Sequence, residues 1–159
     1  MKNKTVIIIT FIVIVVLGFT MFLKMNPPLH SSGQSLNKEL NPFTFVAEID
    51  NKGFADIKLK EILVNSNENA YKVELGISRS NGLITISEVR DTSEGISFHE
   101  ISDYPIKTPP ESKYVGDFDT IRHYAIVVYY NEGVKDITVK YSYLGIPFEK
   151  KIAVTQSDG

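Results

Sequence analysis

The sequence predicts an all-β fold, an immunoglobulin-like antiparallel β-sandwich of about seven or eight strands behind one N-terminal transmembrane helix. The run from Val6 to Leu23 contains no charged residue and no proline. Between residues 42 and 155, short stretches of alternating apolar and polar residues recur about every ten residues, with turn residues between them. A small closed β-barrel is the alternative architecture for the same strands.

The N-terminal run predicts a membrane anchor over residues 6–23. At about 1.5 Å per residue it makes a helix about 27 Å long, close to the ~30 Å hydrocarbon core of a bilayer. Lys2 and Lys4 precede the run, whereas Lys24 alone follows it. The positive-inside rule therefore places residues 1–5 in the cytoplasm as a basic tag and the residues beyond about 25 outside the cell membrane. The alternative is a secretory signal that is cleaved, which gives a secreted form of the same domain.

The charge balance and the absence of cysteine exclude several classes of partner and site. The chain has 17 basic and 19 acidic side chains. Because Lys2, Lys4 and Lys24 belong to the N-terminal part, the remainder has 14 basic and 19 acidic groups and a net charge of −5. We expect no nucleic-acid partner for a mildly acidic domain without basic clusters. The absence of cysteine excludes disulfides, thiolate metal sites and a cysteine nucleophile.

The chain beyond the anchor is predicted to be one domain with flexible flanks. Residues 24–41 are predicted to be a linker because they contain Pro27, Pro28 and several serines with little periodicity. Residues 42–155 form the extracytoplasmic β-sandwich, which is long enough for one hydrophobic core. Residues 156–159 are predicted to be a flexible tail.

Eight segments carry the strand pattern. They cover residues 43–49, 57–64, 71–77, 83–89, 96–101, 123–130, 137–143 and 148–154. The alternation slips at Lys60–Glu61, which predicts a β-bulge. Asn81–Gly82 predicts a two-residue hairpin turn. The segment 123–130 is apolar on both faces, which predicts a central strand that is covered on both sides.

The same alternation places several polar and aromatic residues. Glu48 and Asp50 fall on the outward face of their strand, where we expect a solvated surface. His99 alternates with a phenylalanine and is expected to face solvent. Five tyrosines lie on segments 123–130 and 137–143, which are predicted to pair. If one face of that pair were exposed, it would form an aromatic patch suited to protein or glycan contact.

Candidate binding residues lie in or beside the long irregular segment 102–118, because loops of this length in compact domains are often functional. They are Tyr104, Tyr114, Asp117, Phe118 and Asp119. The Asp-x-Asp spacing offers oxygen ligands of the kind that calcium prefers, although the glycine and distal glutamate of an EF-hand are missing. We therefore assign no metal ligand here.

Catalytic signatures are missing from the sequence. It contains neither a G-x-S-x-G nucleophile motif nor a glycine-rich phosphate loop, so we expect neither an enzyme nor a cofactor. The prediction is a membrane-anchored extracytoplasmic interaction or accessory domain whose partner is a protein or a cell-wall component. The alternative is a sensor domain of the cell envelope that binds a small ligand or calcium.

The layout of the chain resembles that of a known group of proteins. It has a short basic start, one apolar helix and a β domain that closes on the hairpin I-T-V-K-Y-S-Y-L-G-I-P-F-E-K, residues 137–150. Small uncharacterised extracytoplasmic proteins of Gram-positive bacteria share this layout. The resemblance implies a location in the cell envelope and no particular activity.

Overall fold

The computed structural model describes residues 2–37, 42–65, 68–79, 82–86, 95–108 and 120–154. Within these residues there are one helix and nine strands. They are α1 (Lys2–Met25), β1 (Leu29–Asn37), β2 (Phe43–Asn51), β3 (Ile57–Val64), β4 (Glu68–Asn69), β5 (Lys72–Ser78), β6 (Ile96–His99), β7 (His123–Tyr130), β8 (Asp136–Tyr143) and β9 (Ile146–Ala153). The five-stranded sheet has the order β1-β2-β7-β5-β6, and the four-stranded sheet has the order β4-β3-β8-β9.

The strand connectivity is that of an immunoglobulin-like sandwich. Strands β1, β2, β7 and β5 are neighbours in the order of the A, B, E and D strands of that fold, and β4, β3, β8 and β9 are ordered like C′, C, F and G. Strand β6 extends the first sheet beyond the D position, and the strand pairs in both sheets are antiparallel. The predicted fold class is confirmed. The closed-barrel alternative is wrong, because the two sheets remain separate.

The hydrophobic core lies between the sheets and follows the predicted alternation. On β7 the residues Tyr124, Ile126, Val128 and Tyr130 point into this core, and β7 lies between β2 and β5 as a central strand. On β3 the core positions shift from Leu59 to Ile62, and the pairing with β8 slips between Leu59 and Glu61. The predicted central strand and the predicted bulge are both confirmed.

A second apolar layer covers the outer face of the five-stranded sheet. Residues 82–86, called the strap below, cross this face, and buried Ile84 and Ile86 pack with Val46, Ala125 and Val127. The predicted strand is wrong for residues 83–86, because these isoleucines cover an apolar sheet face instead of pairing in a ladder. Strand β5 pairs with β6 instead. Asn81 and residues 87–89 lie outside the described residues.

Glu48 lies beneath the strap rather than on a solvated face. Its side chain is only 8% exposed, and Oε1 accepts a hydrogen bond of 3.0 Å from the backbone N–H of Ile84. The prediction of a solvated Glu48 is wrong because the backbone N–H of the strap needs a hydrogen-bond acceptor where it crosses the apolar face, and the Glu48 carboxylate provides it. The buried carboxylate is therefore part of the scaffold.

The predicted linker is also wrong over most of its length. Helix α1 continues to Met25, and Leu29–Asn37 form β1, which pairs antiparallel with β2. Leu29 is fully buried in the core. The polar composition of this segment suits an edge strand, with one side open to solvent, as well as it suits a linker.

The tyrosines do not form an exposed patch. Strands β7 and β8 belong to different sheets, so the prediction that they pair is wrong. Tyr124, Tyr130, Tyr141 and Tyr143 are buried between the sheets, and Tyr129 is half-buried on the outer face. Core-facing tyrosines come together both when two strands pair in one sheet and when two strands face each other across the core from different sheets. Their composition therefore does not distinguish the two arrangements, and the pairing predicted from it is wrong.

Two neighbouring residues test the strap. Ile84 is 2% exposed and Leu83 is 52% exposed. We expect Ile84→Ala to lower the free energy of unfolding by about 2–4 kcal/mol, since it opens a cavity over the sheet. Leu83→Ala is expected to change it by less than about 0.5 kcal/mol. Chemical unfolding of the full chain in detergent measures both, and equal losses would show that the strap does not cover the sheet.

Candidate functional site

The helix passes into the sandwich without a flexible connection. Asn26 ends α1, because its backbone N–H and its Nδ2 both donate to the carbonyl of Phe22 at 3.0 Å. Pro27 and Pro28 follow and cannot continue a helix. Leu23 in the last turn is only 4% exposed and belongs to the core of the sandwich. The end of the helix is thus packed as part of the domain.

Loop 52–56, which joins β2 to β3, fixes this passage from the other side. The backbone N–H of Lys52 donates to the carbonyl of Pro28 at 2.8 Å. The hydroxyl of Tyr143 accepts hydrogen bonds from the backbone N–H of Phe54 at 2.9 Å and of Ala55 at 3.3 Å. These contacts tie the helix end, the loop and the end of β8 together.

Asn51 holds the base of the same loop. Its Nδ2 donates to the carbonyls of Ala55 and Ile106, both at 2.8 Å, and its Oδ1 accepts from the N–H of Gly53 at 2.9 Å. The side chain is 1% exposed, so these bonds satisfy a polar group that would otherwise be costly to bury. The loop is therefore rigid.

A cavity of about 390 Å³ lies between the helix end, loop 52–56 and the sheet edge. We call it the junction cavity. Its polar walls include Lys52, Lys150 and His30, and its apolar walls include Phe22 and Phe54. Among the described residues, no aspartate or glutamate lines it. The cavity therefore combines positively charged and apolar lining residues.

The topology decides which loops lie beside the helix. Leu29 pairs with Asn51 and Ile57 pairs with Tyr143, so the start of β1, loop 52–56 and the turn after β8 share one end of the sandwich. We call it the junction end. These are the B–C and F–G loops of the immunoglobulin fold, which variable domains use to bind antigen. Here they face the helix.

The opposite end is closed by one asparagine. The backbone N–H of Asn65 donates to the carbonyl of Asp136 at 3.0 Å, and its Nδ2 donates to the carbonyl of Gly133 at 2.8 Å. Its Oδ1 accepts from the N–H of Lys135 at 2.7 Å. Asn65 has φ of 39°, a conformation that asparagine tolerates. This distal end is therefore rigid as well.

A second cavity of about 620 Å³ runs along β5 and β6, and we call it the edge groove. Lys72 and Glu74 line one side, whereas His99 and Asp103 line the other. Among the described residues, strand β6 pairs only with Leu75–Ser78 of β5, so the groove lies where residues 100–103 leave the sheet beside Lys72–Glu74. Tyr71, beside Lys72, is 71% exposed at the distal end.

Charged and aromatic groups are ordered at the mouth of the groove. Lys72 Nζ lies 2.8 Å from Glu74 Oε1 and 5.3 Å from the centre of the Tyr129 ring. The Tyr129 hydroxyl donates to Glu74 Oε2 at 2.9 Å. Burial, and then this bond to an anionic partner, raise the pKa of Tyr129 well above its usual range. Similarly, the bond between the Tyr130 hydroxyl and Glu68 raises the pKa of Tyr130 to about 12.

One predicted binding residue lies beside the groove. The Tyr104 ring packs on that of His99 with centroids 4.6 Å apart, and His99 Nε2 is hydrogen-bonded to Ser97 Oγ at 2.9 Å. His99 is half-buried, so the prediction that it faces solvent is wrong: Tyr104 covers it. The remaining predicted residues lie outside the described residues. They are Tyr114, Asp117, Phe118 and Asp119.

Two features of the site could not be found from local patterns. Lys52 and Lys150 are far apart in sequence and meet at the junction cavity only through the fold. Glu74, Lys72 and Tyr129 meet because β5 and β7 pair, with Lys72 opposite Tyr129. In the part of the chain that the structure describes, no three of His, Asp and Glu converge as a metal site.

The glycine of loop 52–56 provides a test of the rigid junction. A Cβ at Gly53 would lie 2.5 Å from the Tyr143 hydroxyl and 2.9 Å from Pro28 Cβ. We expect Gly53→Ala to destabilise the full chain by about 1–3 kcal/mol through overpacking. At Gly133 a Cβ would meet nothing within 4 Å, so Gly133→Ala serves as the matched control. Thermal unfolding in detergent compares them, and a Gly53→Ala variant as stable as the control would show that the loop is not clamped.

The raised pKa of Tyr129 predicts alkaline destabilisation. Unfolded tyrosines lose their proton near pH ~10, whereas folded Tyr129 keeps it, so stability falls as pH rises above about 10. Glu74→Gln removes the anionic partner and should make this fall smaller. Glu100→Gln, at an exposed glutamate that makes no contact with Tyr129, should leave it unchanged. Denaturant unfolding at neutral and alkaline pH measures the difference, and the same fall in all three proteins would contradict the assignment.

No protein family model, curated protein or solved structure matches this chain. Its function is therefore argued from the junction cavity, the edge groove and the helix.

Proposed function

We propose that this chain is a single-pass membrane protein whose immunoglobulin-like domain lies outside the cell membrane and acts as an interaction module for a protein partner. The observation that carries the proposal is the difference in burial between the last turn of α1 and the rest of the helix. Its last turn packs into the core through Leu23, whereas the rest of the helix has no cover among the described residues. An uncovered apolar helix needs another apolar environment.

A bilayer fits the helix in length and in pattern. The apolar part, Val6–Met25, has 20 residues and is about 30 Å long, which matches the hydrocarbon core. Its large apolar side chains are exposed around the whole circumference, for example Ile7 at 67% and Leu17 at 64%. A helix that lay on a membrane surface would instead have one polar face.

The flanking charges support an orientation with the domain outside. Lys2 and Lys4 lie in the first turn of α1, before the apolar run, and Lys24 alone lies after it. Cytoplasmic flanks carry the excess of lysine and arginine. The domain that follows lacks cysteine, so its stability does not depend on the redox state of either compartment.

The edge groove is the surface that we assign to the partner. The loops at the junction end face the membrane in an anchored chain, which leaves the sheet edges and the distal end accessible. Exposed Tyr71 precedes Lys72 of the groove, and the groove contains charges of both signs. Among the described residues, Lys72–Glu74 pair with β7 on one side and with no strand on the other. Tyrosine is enriched at protein interfaces, and a strand edge accepts a partner strand through backbone hydrogen bonds.

Single cysteines test anchoring, orientation and partner in one set of variants, because the chain has none of its own. The variants of the full chain are Lys4→Cys before the apolar run, Tyr71→Cys beside the groove and Lys60→Cys on the exposed face of the other sheet. A membrane-impermeant maleimide should label Tyr71→Cys and Lys60→Cys in intact cells. Lys4→Cys should react only after permeabilisation.

The partner is tested by comparing native envelopes with proteoliposomes that contain this chain alone. We expect Tyr71→Cys to react several-fold more slowly in the envelope, whereas Lys60→Cys reacts equally in both. Recovery of the chain in the medium would favour the secreted form, and labelling of Lys4→Cys from outside would reverse the orientation. Equal rates for Tyr71→Cys in both preparations would remove the groove as the partner surface.

A further inference from the structure

We propose that the junction cavity binds the phosphate of an anionic lipid in the leaflet where α1 ends, so that the domain is held upright on the bilayer. This inference rests on the membrane anchoring proposed above. It adds a ligand, a phospholipid headgroup, at the end of the molecule opposite the distal loops. Four features of the junction end support it.

The first feature is position. The uncharged run ends at Leu23 and Lys24 follows it, so the end of α1 and residues 26–28 lie at the boundary between hydrocarbon and headgroups. The headgroup layer adds roughly 5–7 Å on each side of the hydrocarbon core. The N–H of Lys52 bonds to Pro28, and the helix residues Phe22 and Met25 line the cavity. The cavity therefore opens at headgroup height.

The second feature is charge. Lys52 in loop 52–56 and Lys150 on β9 line the same cavity, and His30 of β1 lines it as well. No acidic side chain among the described lining residues offsets them. Lys24 adds a third lysine at the helix end. Lysine ammonium groups near a membrane surface attract anionic headgroups.

The third feature is an exposed apolar rim on the same end. Phe54 is 69% exposed, and Met25 and Leu144 are 73% and 46% exposed. Each would be an unremarkable single residue elsewhere on a surface, but here all three surround the end of a membrane-spanning helix. Aromatic side chains are enriched at this depth in membrane proteins.

The fourth feature is preorganisation. Phe54 is fixed through its backbone N–H, which bonds to the Tyr143 hydroxyl, and its ring packs edge-on against Tyr143 with centroids 5.7 Å apart. The carbonyl of Phe22, which would repel a phosphate at the helix end, already accepts two hydrogen bonds from Asn26. The cavity thus needs no rearrangement to accept an anion.

Native mass spectrometry of the full chain tests the lipid preference. The protein is released from nanodiscs of phosphatidylcholine mixed with phosphatidylglycerol, and the lipids retained on it are counted. We expect phosphatidylglycerol to be enriched over phosphatidylcholine on the wild-type chain. Lys52→Gln with Lys150→Gln should reduce that enrichment by about fivefold for each lysine removed. The matched control, Lys60→Gln with Lys135→Gln, changes the net charge equally away from the junction and should keep it.

Depth is measured separately with tryptophan, which the chain lacks. Phe54→Trp should be quenched by lipids brominated near the headgroup, whereas Tyr71→Trp at the distal end should not. Equal enrichment in both lysine pairs, or equal quenching at both positions, would overturn the proposal. Loss of enrichment on adding inorganic phosphate would also overturn it, since it would assign the cavity to the free anion.

Failure of the anchoring and failure of the lipid site give different results. A chain that does not enter nanodiscs at all contradicts the membrane proposal. A chain that enters them with α1 protected from protease, but retains both lipids equally, contradicts the lipid site alone.

Discussion

The constraint on which the rest of the structure depends is the short passage from helix to sheet. Only residues 26–28 separate α1 from β1, and Leu23 and Leu29 on either side are both buried in one core. The Tyr143 hydroxyl and the carbonyl of Pro28 fasten loop 52–56 over this passage. Hydrogen bonds and packing on both flanks leave no hinge between them, so the direction of the helix sets the direction of the domain.

Because of this constraint, the loops that bind antigen in immunoglobulin variable domains lie here at the end of the domain that faces the helix. The A strand begins beside α1, so the B–C and F–G loops lie at the helix end of the sandwich, which is the membrane end of the proposed anchored chain. Loops that bind antigen in variable domains are here short and tightly bonded. In the proposed interaction module, the surfaces left for a partner are the sheet edges, and the groove beside β5 and β6 is the one that we assign to it.

The sequence predicts the features that depend on local alternation and misses those that depend on what lies across the fold. The bulge at Lys60–Glu61 and the central strand β7 follow from the spacing of apolar residues alone. The burial of Glu48 does not, because it results from the strap, whose isoleucines have the same spacing whether they pair in a ladder or cover a face. The junction cavity joins residues more than a hundred positions apart, which no local pattern reports.

The absence of the predicted flexible linker also restricts the class of partner that the domain could reach. A flexible linker of residues 24–41 would have added roughly 23 Å of mean reach, at about 5–6 Å times the square root of its length. Without it, the proposed anchored domain would rise above the membrane by about the length of one strand, roughly 27 Å for the eight residues of β7. A rigid module of that height would meet partners in or on the same membrane at a fixed angle, and the high local concentration there would compensate for a small contact surface. The proposed partner is therefore a membrane-associated protein rather than a component of a more distant wall layer.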